Sequence, residues 1–190
     1  MKKIIVASVM TMTLVTGAFA DVKVGLGYTL ADLNGASGLF GEPANIRIPI
    51  DFDFGLRIEP EVAFGFKTDD DPNWAKVTTT TRKLAIGAYY KLWNVEKVNF
   101  YAGGRLAYSN NEREYEPYVG TTLPYTDETT TLGLQGLFGA EYMFTEDFSI
   151  AAQGGLELMS STESDSRAGH VDADVTSVGT VGHILLHYFF

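Results

Sequence analysis

Cysteine is absent from the 190-residue sequence, and basic residues are scarce relative to acidic ones. Without cysteine an exported chain has no disulfide framework, so its stability must come from packing and backbone pairing. The sequence has 14 lysines and arginines against 24 aspartates and glutamates, which gives a net charge of -10. This acidic balance argues against nucleic acid as a partner.

Long apolar runs are also absent. No stretch after residue 20 approaches about 18 consecutive apolar residues, the length that a membrane-spanning helix needs. The amino-terminal stretch, residues 4–15, is apolar but short and interrupted by Thr11 and Thr13. It therefore makes a poor transmembrane helix. If the chain spans a membrane, it must do so as a β-barrel, because only helices and closed barrels pair all their backbone groups in lipid.

The amino terminus instead has the pattern of a secretory signal peptide. Lys2 and Lys3 precede the apolar stretch, and Ala18-Phe19-Ala20 follows it as a small-residue cleavage site. We expect residues 1–20 to be removed and residues 21–190 to form one domain. Because the segment carries two lysines and no acids, the mature net charge is then 12 − 24 = -12.

Apolar and polar residues alternate in segment after segment of the mature chain, which is typical of half-buried β-strands. In the first segment Val22, Val24 and Leu26 share one face, and Lys23 lies on the other. Such runs cover residues 22–30, 46–53, 56–67, 83–92, 98–108, 132–144, 148–158 and 175–190. Most are near the 9–11 residues of a tilted transmembrane strand. The pattern predicts an all-β fold, an eight-stranded antiparallel up-and-down transmembrane β-barrel.

The connections between these runs alternate in length. Tight turns are predicted at residues 53–55, 94–97 and 145–147, and long polar loops at residues 31–45, 68–79, 109–129 and 159–174. Bacterial outer-membrane barrels have short periplasmic turns and long external loops. Pro49 and Pro60 remove donors from the strand ladder, so we expect them at bulges or rims.

Alternation alone also fits a soluble, lipocalin-like barrel whose apolar face points inward. Two features favour lipid on the outside. Aromatic residues such as Phe54, Tyr90 and Tyr108 lie on the apolar face near strand ends, as in interfacial girdles. The opposite face carries nearly balanced charges, as expected for a narrow interior filled with paired side chains.

These balanced charges predict a paired network that fills the lumen and blocks a continuous water path. The predicted members are Arg57, Glu59, Glu61, Lys83, Arg105, Glu141 and Glu157. His183 and His187 share the inward face, and we expect them to fill the lumen as partners of carboxylates.

Three segments resemble a known family. These are residues 101–108 (YAGGRLAY), residues 136–150 (GLFGAEYMFTEDFSI) and the terminal Tyr188-Phe189-Phe190. They are similar to small outer-membrane barrels of the OmpA/OmpX type, and the layout of the whole mature chain agrees. The resemblance implies an integral outer-membrane location and a lumen plugged by salt bridges. It also implies that the barrel assembly machinery reads the terminal strand, through Ile184, Leu186, Tyr188 and Phe190. Leu185 and His187 depart from the usual terminal pattern.

The motifs specify barrel construction, and no cofactor is expected. We interpret the protein as non-catalytic, structural or surface-interacting through its long external loops. The threonines at 78–81 and 129–131, with Tyr115, Tyr118 and Tyr125, are β-prone and favour an extension of strands four to six into a raised sheet. The alternatives are a narrow channel for ions or small apolar molecules, and a lipid A-modifying enzyme that uses His170 in a serine- and aspartate-rich loop.

Two polar surface features have alternative interpretations. Arg82 lies on the outward face at the loop end of strand four, where it either contacts lipopolysaccharide phosphates or simply extends to the interface. The acidic runs at 69–71 and at Glu112, Glu114 and Glu116 are either a divalent cation site or, as we favour, solvated loops, because neither has the spacing of a cation-binding loop.

Overall fold

A computed structural model describes residues 22–32, 44–71, 75–117, 124–166 and 172–190. The predicted signal peptide, Tyr118 and His170 lie outside these ranges. The described chain forms nine β-strands: β1 (Val22–Asp32), β2 (Ala44–Arg47), β3 (Ile50–Phe52), β4 (Leu56–Asp71), β5 (Ala75–Val95), β6 (Val98–Pro117), β7 (Tyr125–Met143), β8 (Phe148–Asp165) and β9 (Ala173–Phe189). None of these residues belongs to a helix long and apolar enough to cross a membrane.

The strands form a closed antiparallel ring. Consecutive strands from β3 to β9 pair in order, and β9 returns to pair with β1. β2 and β3 both lie between β1 and β4, so they are two halves of one strand. The ring therefore has eight strands in up-and-down order, which confirms the predicted fold.

Pro49 and Pro60 lie within the barrel wall, so their predicted placement at bulges or rims is wrong. The same register holds on both sides of the break between β2 and β3. Each proline lacks one ladder donor, but its carbonyl still accepts a hydrogen bond. Gly25 N donates to Pro49 at 2.8 Å, and Ile48 N donates to Pro60 at 2.9 Å. The missing donors interrupt the second strand of the barrel between β2 and β3, but both parts keep the same register with β1 and β4.

One end of the ring has only tight turns, as predicted. β3 and β4 are joined by residues 53–55, β5 and β6 by residues 96–97, and β7 and β8 by residues 144–147. Gly55 has a φ of 90° and Glu96 a φ of 52°. Glycine reaches this left-handed region without strain, whereas glutamate does so at a cost.

The outward face is apolar and the inward face is polar. From β4 to β9 the odd-numbered residues point into the lumen, except beyond the irregularity between Lys91 and Trp93 in β5, where the parity reverses and Trp93 is 51% exposed. Large apolar side chains at even positions are exposed on the wall, including Phe64 at 64%, Leu84 at 59% and Leu156 at 64%. Aromatic rings cluster at the turn end, where Trp93 stacks on Phe100 with centroids 5.1 Å apart. This is the arrangement of a barrel solvated by lipid.

Six of the described strands continue beyond the level at which the described ring closes. β1 ends with Asp32 opposite His183, and β2 begins with Ala44 opposite Phe64. Above these positions β4 to β9 form what we call the raised sheet. It consists of residues 65–71, 75–82, 109–117, 125–131, 159–165 and 173–182. Much of what was predicted as long loops is therefore strand, and the extension includes β4, β8 and β9 as well as the three strands expected.

Candidate functional site

The lumen contains a contiguous network of charged side chains. Near the turn end the Arg57 guanidinium lies between two carboxylates, with Nη2 3.0 Å from Asp51 Oδ2 and 2.9 Å from Glu141 Oε2. Lys91 Nζ reaches the same Asp51 oxygen at 2.8 Å. The Arg57 guanidinium also lies 5.3 Å from the centroid of the Phe189 ring, within the range of a cation–π contact.

A second group of charges lies above the first. Arg47 is fully buried, and it contacts Glu59 Oε1 through Nη1 at 2.7 Å and Glu61 Oε2 through Nε at 3.2 Å. Glu61 also pairs with Arg105 and, at 3.7 Å, with Lys83 Nζ. One carboxylate is thus shared by three cations contributed by β2, β5 and β6.

His187 connects the two groups. Its Nδ1 lies 2.9 Å from Glu141 Oε1, and its Nε2 lies 3.6 Å from Glu59 Oε2. Ser149 Oγ donates to Glu141 at 2.7 Å. His183, one inward position higher on β9, lies 3.2 Å from Arg105 Nη1 through Nε2. Both histidines are within the lumen, at the positions where inward parity predicts them.

Six of the seven predicted network residues take part in ion pairs. Glu157 instead accepts a hydrogen bond of 2.7 Å from Gln135 Nε2. The prediction omitted Arg47, Asp51 and Lys91, although all three have the inward parity of the seven. Parity already places all three among the balanced inward charges of the sequence, but it does not show that they join the network. The enlarged set has five basic members and five acidic ones, so it is neutral when the histidines are uncharged: Arg47, Arg57, Lys83, Lys91 and Arg105 with Asp51, Glu59, Glu61, Glu141 and Glu157.

Packed rings occupy the lumen beside the charges. Tyr89 and Tyr101 meet edge to face with centroids 5.6 Å apart, and Leu137 and Val181 complete a buried apolar cluster. Glycine makes room for these rings on the narrow inner wall. A Cβ on Gly139 would lie 2.5 Å from Cζ of Tyr101, which is closer than atoms pack.

The terminal strand completes the ring, as its sequence indicated. Tyr188 and Phe190 are 52% and 73% exposed on the outer wall, and the Phe190 amide donates to Val24 O at 2.9 Å. Ile184 and Leu186 follow the same outward parity. The two unusual terminal residues, Leu185 and His187, both point inward and are 1% exposed. The recognition of this strand by the assembly machinery stays a prediction.

Arg82 lies in the raised sheet on its outward face. It donates to Asn110 Oδ1 at 3.2 Å through Nη1, and its Nη2 lies 3.1 Å from Glu112 Oε2. Because its side chain remains 55% exposed, the guanidinium is accessible even though it is already bound. Its contact with lipopolysaccharide stays a prediction.

The acidic runs contribute to exposed ion pairs. Asp69 pairs with Lys67 at 2.7 Å, and Glu116 pairs with Lys76 at 3.2 Å. Across the described part of the chain, no three histidine or carboxylate side chains are placed to hold a metal ion.

The inward side of the raised sheet forms a concave polar cavity of about 380 Å³. Asp127 lies directly opposite Arg113 on one side and Asp165 on the other. Asp127 Oδ1 is buried and accepts no hydrogen bond from the residues described. The cavity is lined by Asn111, Arg113, Asp127, Glu128, Thr129, Glu163, Ser164 and Asp165.

Several solved structures are similar to this chain. A major outer membrane protein from Thermus thermophilus is 13% identical, with 89% of this chain and 98% of that chain covered and a TM-score of 0.54. Acinetobacter baumannii CarO2 is 9% identical, with 88% and 98% covered and a TM-score of 0.45. Ail, the attachment invasion locus protein of Yersinia pestis, is 12% identical, with 89% and 96% covered and a TM-score of 0.44. At these identities the likeness concerns the fold alone.

No curated protein matches the sequence. The family match is extensive, however, because residues 4–181 fit the outer membrane protein beta-barrel domain. Together with the closed ring and its apolar outer wall, this match identifies an integral protein of the outer membrane. The chain belongs to the family of outer membrane proteins with a beta-barrel domain.

Proposed function

We propose that this protein is a non-catalytic outer-membrane barrel with a closed lumen, which presents the raised sheet as a recognition surface outside the cell. The observation that carries the proposal is the continuation of six strands past the level of ring closure. β5 has 21 residues and β6 has 20, whereas about 9–11 residues suffice to cross the membrane. The additional residues of β5 and β6 also form strand. In bacterial outer-membrane barrels the short turns lie in the periplasm, so the opposite end of the barrel lies outside the cell.

The lumen network supports the closed state. Its ion pairs join side chains of β2 to β7 and β9 across the interior, and Arg47, Arg57, Glu59, Glu61, Arg105 and Glu141 are at most 4% exposed. A water path through this level would require at least one buried ion pair to open, which leaves unpaired charge inside the barrel. The arrangement therefore favours a structural plug over a channel.

The closed lumen is tested by conductance. We expect the purified protein in planar lipid bilayers to show no steady single-channel current in neutral salt solution. Steady conductance from the unmodified protein would reject the plug and favour the channel alternative. Mass analysis of lipid A from cells with and without the protein tests the enzyme alternative, and we expect identical spectra.

Surface recognition is tested with a shortened raised sheet. Residues 76–81 and 111–116 are opposite each other on β5 and β6, so their joint removal shortens both strands by equal lengths and keeps the alternation of faces. Cells producing either form are compared for binding to a fixed panel of immobilised extracellular proteins and polysaccharides. We expect binding that the full chain shows and the shortened chain loses at equal surface abundance. Identical binding profiles would contradict recognition by the raised sheet.

A further inference from the structure

We infer that Tyr115 and Tyr125, which stack on each other in the raised sheet, are a site of oxidative modification at which one-electron oxidants join the two rings as dityrosine. The new bond ties the outer ends of β6 and β7 together. The inference goes beyond the proposed function and needs from it only that the raised sheet lies outside the cell, where such oxidants arrive without crossing the membrane.

The two tyrosines occupy opposite positions on neighbouring strands. Tyr115 on β6 pairs directly with Tyr125 on β7, one inward position beyond the pair of Arg113 and Asp127. The ring centroids of the tyrosines are 4.4 Å apart, and the ring planes are inclined by only 9°. Because directly opposite side chains on paired strands are neighbours, the backbone ladder holds the two rings in contact.

A parallel stack has the geometry that coupling of two phenoxyl radicals requires. A one-electron oxidant removes one electron and one proton from each phenol, and the unpaired electron spreads to the two ring carbons beside the oxygen-bearing carbon, Cε1 and Cε2. The orbitals that hold this electron are perpendicular to the ring, so in a stack they point at the facing ring. One Cε–Cε bond forms, and the hydrogen on each joined carbon then moves to the phenol oxygen, which restores both aromatic rings. In total the pair loses two electrons to the oxidant and two protons to water.

A tyrosine pair in the lumen provides the contrast. The rings of Tyr89 and Tyr101 meet at 75° with centroids 5.6 Å apart, so their reactive orbitals are nearly perpendicular to each other. These two residues are 2% and 4% exposed, which keeps a dissolved oxidant away, whereas Tyr115 and Tyr125 are only half-buried. The stacked pair is therefore both better oriented and more accessible than the lumen pair.

Dityrosine gives this chain a covalent cross-link that does not need cysteine. The sequence has no cysteine, so disulfides cannot join its strands. β6 ends at Pro117 and β7 begins at Tyr125, so the tyrosine pair lies where these two strands separate. Strand ends open more readily than strand centres. A covalent bond at this point keeps β6 and β7 in register and stiffens the outer end of the raised sheet.

The cross-link is tested on residues 21–190 in phosphatidylcholine nanodiscs. The oxidant is photochemically generated tris(bipyridyl)ruthenium(III), a small one-electron oxidant, with persulfate as the final electron acceptor. We expect dityrosine fluorescence in the monomer and a tryptic peptide of residues 114–167 that has lost two hydrogen atoms. A bond between Tyr115 and Tyr125 should suppress the fragment ions that arise from backbone cleavage between these two residues, which locates the cross-link.

Matched variants separate the stacked pair from other tyrosines. Tyr115→Phe and Tyr125→Phe each keep an aromatic ring in the stack but remove one phenol. We expect each to give about tenfold less intramolecular dityrosine than the unmodified protein, because the remaining tyrosine no longer has a partner held in contact. Tyr108→Phe is the control, since Tyr108 is 44% exposed on the outer wall and lies opposite Leu84 and Leu132. It should leave the yield unchanged, and heat-dependent gel mobility checks that each variant is folded.

Amide hydrogen exchange measures what the bond does to the sheet. We expect slower exchange at residues 114–116 and 125–127 after oxidation of the unmodified protein. The same oxidation of Tyr115→Phe should leave exchange at these residues unchanged, because no bond forms between the strands.

Four outcomes would overturn the inference. They are the absence of dityrosine from the oxidised protein, an equal yield from Tyr115→Phe, an intramolecular cross-link that maps to Tyr118 or to the lumen pair, and dityrosine confined to cross-linked dimers. Failure of the proposed function is distinguishable, because it would appear, without any oxidant, as steady conductance or as surface binding that the shortened chain retains.

Discussion

The closed barrel and the raised sheet are built from the same strands with the same alternation, yet their surroundings differ. In the barrel each strand pairs on both sides, one face contacts lipid and the other fills a narrow lumen. In the raised sheet no described residue pairs with the outer side of β4 or β9, and both faces carry polar side chains. Alternation therefore determines which residues share a face, and ring closure determines what that face contacts.

Ion pairs show the consequence of this difference. Arg57 is 3% exposed and pairs with Asp51 and Glu141 inside the barrel. Arg82 has a side chain that is 55% exposed and pairs with Glu112 on the raised sheet. A buried pair costs much when one partner is removed, because the other charge is left without water. An exposed pair is screened, and its loss is compensated by solvent.

The largest expected effect comes from removing one cation in each region. Arg57→Ala leaves two buried carboxylates without their shared partner and should lower the free energy of unfolding by about 3–5 kcal/mol. Arg82→Ala should lower it by less than about 1 kcal/mol. Both free energies are measured by titrating each variant with urea in detergent and determining the folded fraction from heat-dependent gel mobility. Equal losses in the two variants would contradict the contrast between buried and exposed pairs.

The next largest effect is expected at β9, the strand that closes the ring with β1. Phe190 lies on the outer wall at the point where β9 meets β1, and we expect its deletion to reduce insertion in cells more than refolding in detergent. Loss of its contact with the apolar phase removes about 1.5–3 kcal/mol, so refolding should be only moderately weaker. Outer-membrane yield with and without Phe190 measures the cellular effect. Equal yields would refute a recognition role for this residue.

Much of the barrel follows from the sequence because parity is local information. Alternation placed Glu59 and Arg105 inward and Tyr188 outward, and short polar segments marked the turns. The prolines were misplaced because a single missing donor was treated as an interruption of the strand. Pro49 and Pro60 each retain an accepting carbonyl, and their neighbours hold the register, so the wall tolerates both.

The raised sheet was harder to predict because its strands lack an apolar face. Residues such as Thr129 and Glu163 alternate with other polar residues, so they produce no hydrophobic period and look like loop. Only β-branched side chains marked the region. The ion pairs within the lumen could not be predicted either. Parity identifies the residues that point inward, but it does not show that Glu61 contacts three cations.

A third prediction compares the two faces of one strand. A Cβ on Gly139 would meet the Tyr101 ring inside the lumen, whereas a Cβ on Gly136 has no atom within 4 Å on the lipid side. Gly139→Ala should destabilise the barrel by about 1–3 kcal/mol through overpacking. Gly136→Ala should leave stability unchanged or slightly higher, because alanine reduces the freedom of the unfolded chain. The same urea titration distinguishes them, and a larger loss for Gly136→Ala would reverse the assigned faces.

The smallest effect is expected in the raised sheet, where water weakens the interaction between charged side chains but does not abolish it. Asp127 lies directly opposite Asp165, and like charges at such cross-strand positions are destabilising. Asp127→Asn removes the repulsion and supplies an amide donor, so it should stabilise the local pairing of β7 and β8 by about 0.2–1 kcal/mol. Slower amide exchange at residues 162–165 at neutral pH would show this. Faster exchange in the variant would show that Asp127 stabilises the sheet, through Arg113 on its other side, more than it opposes Asp165.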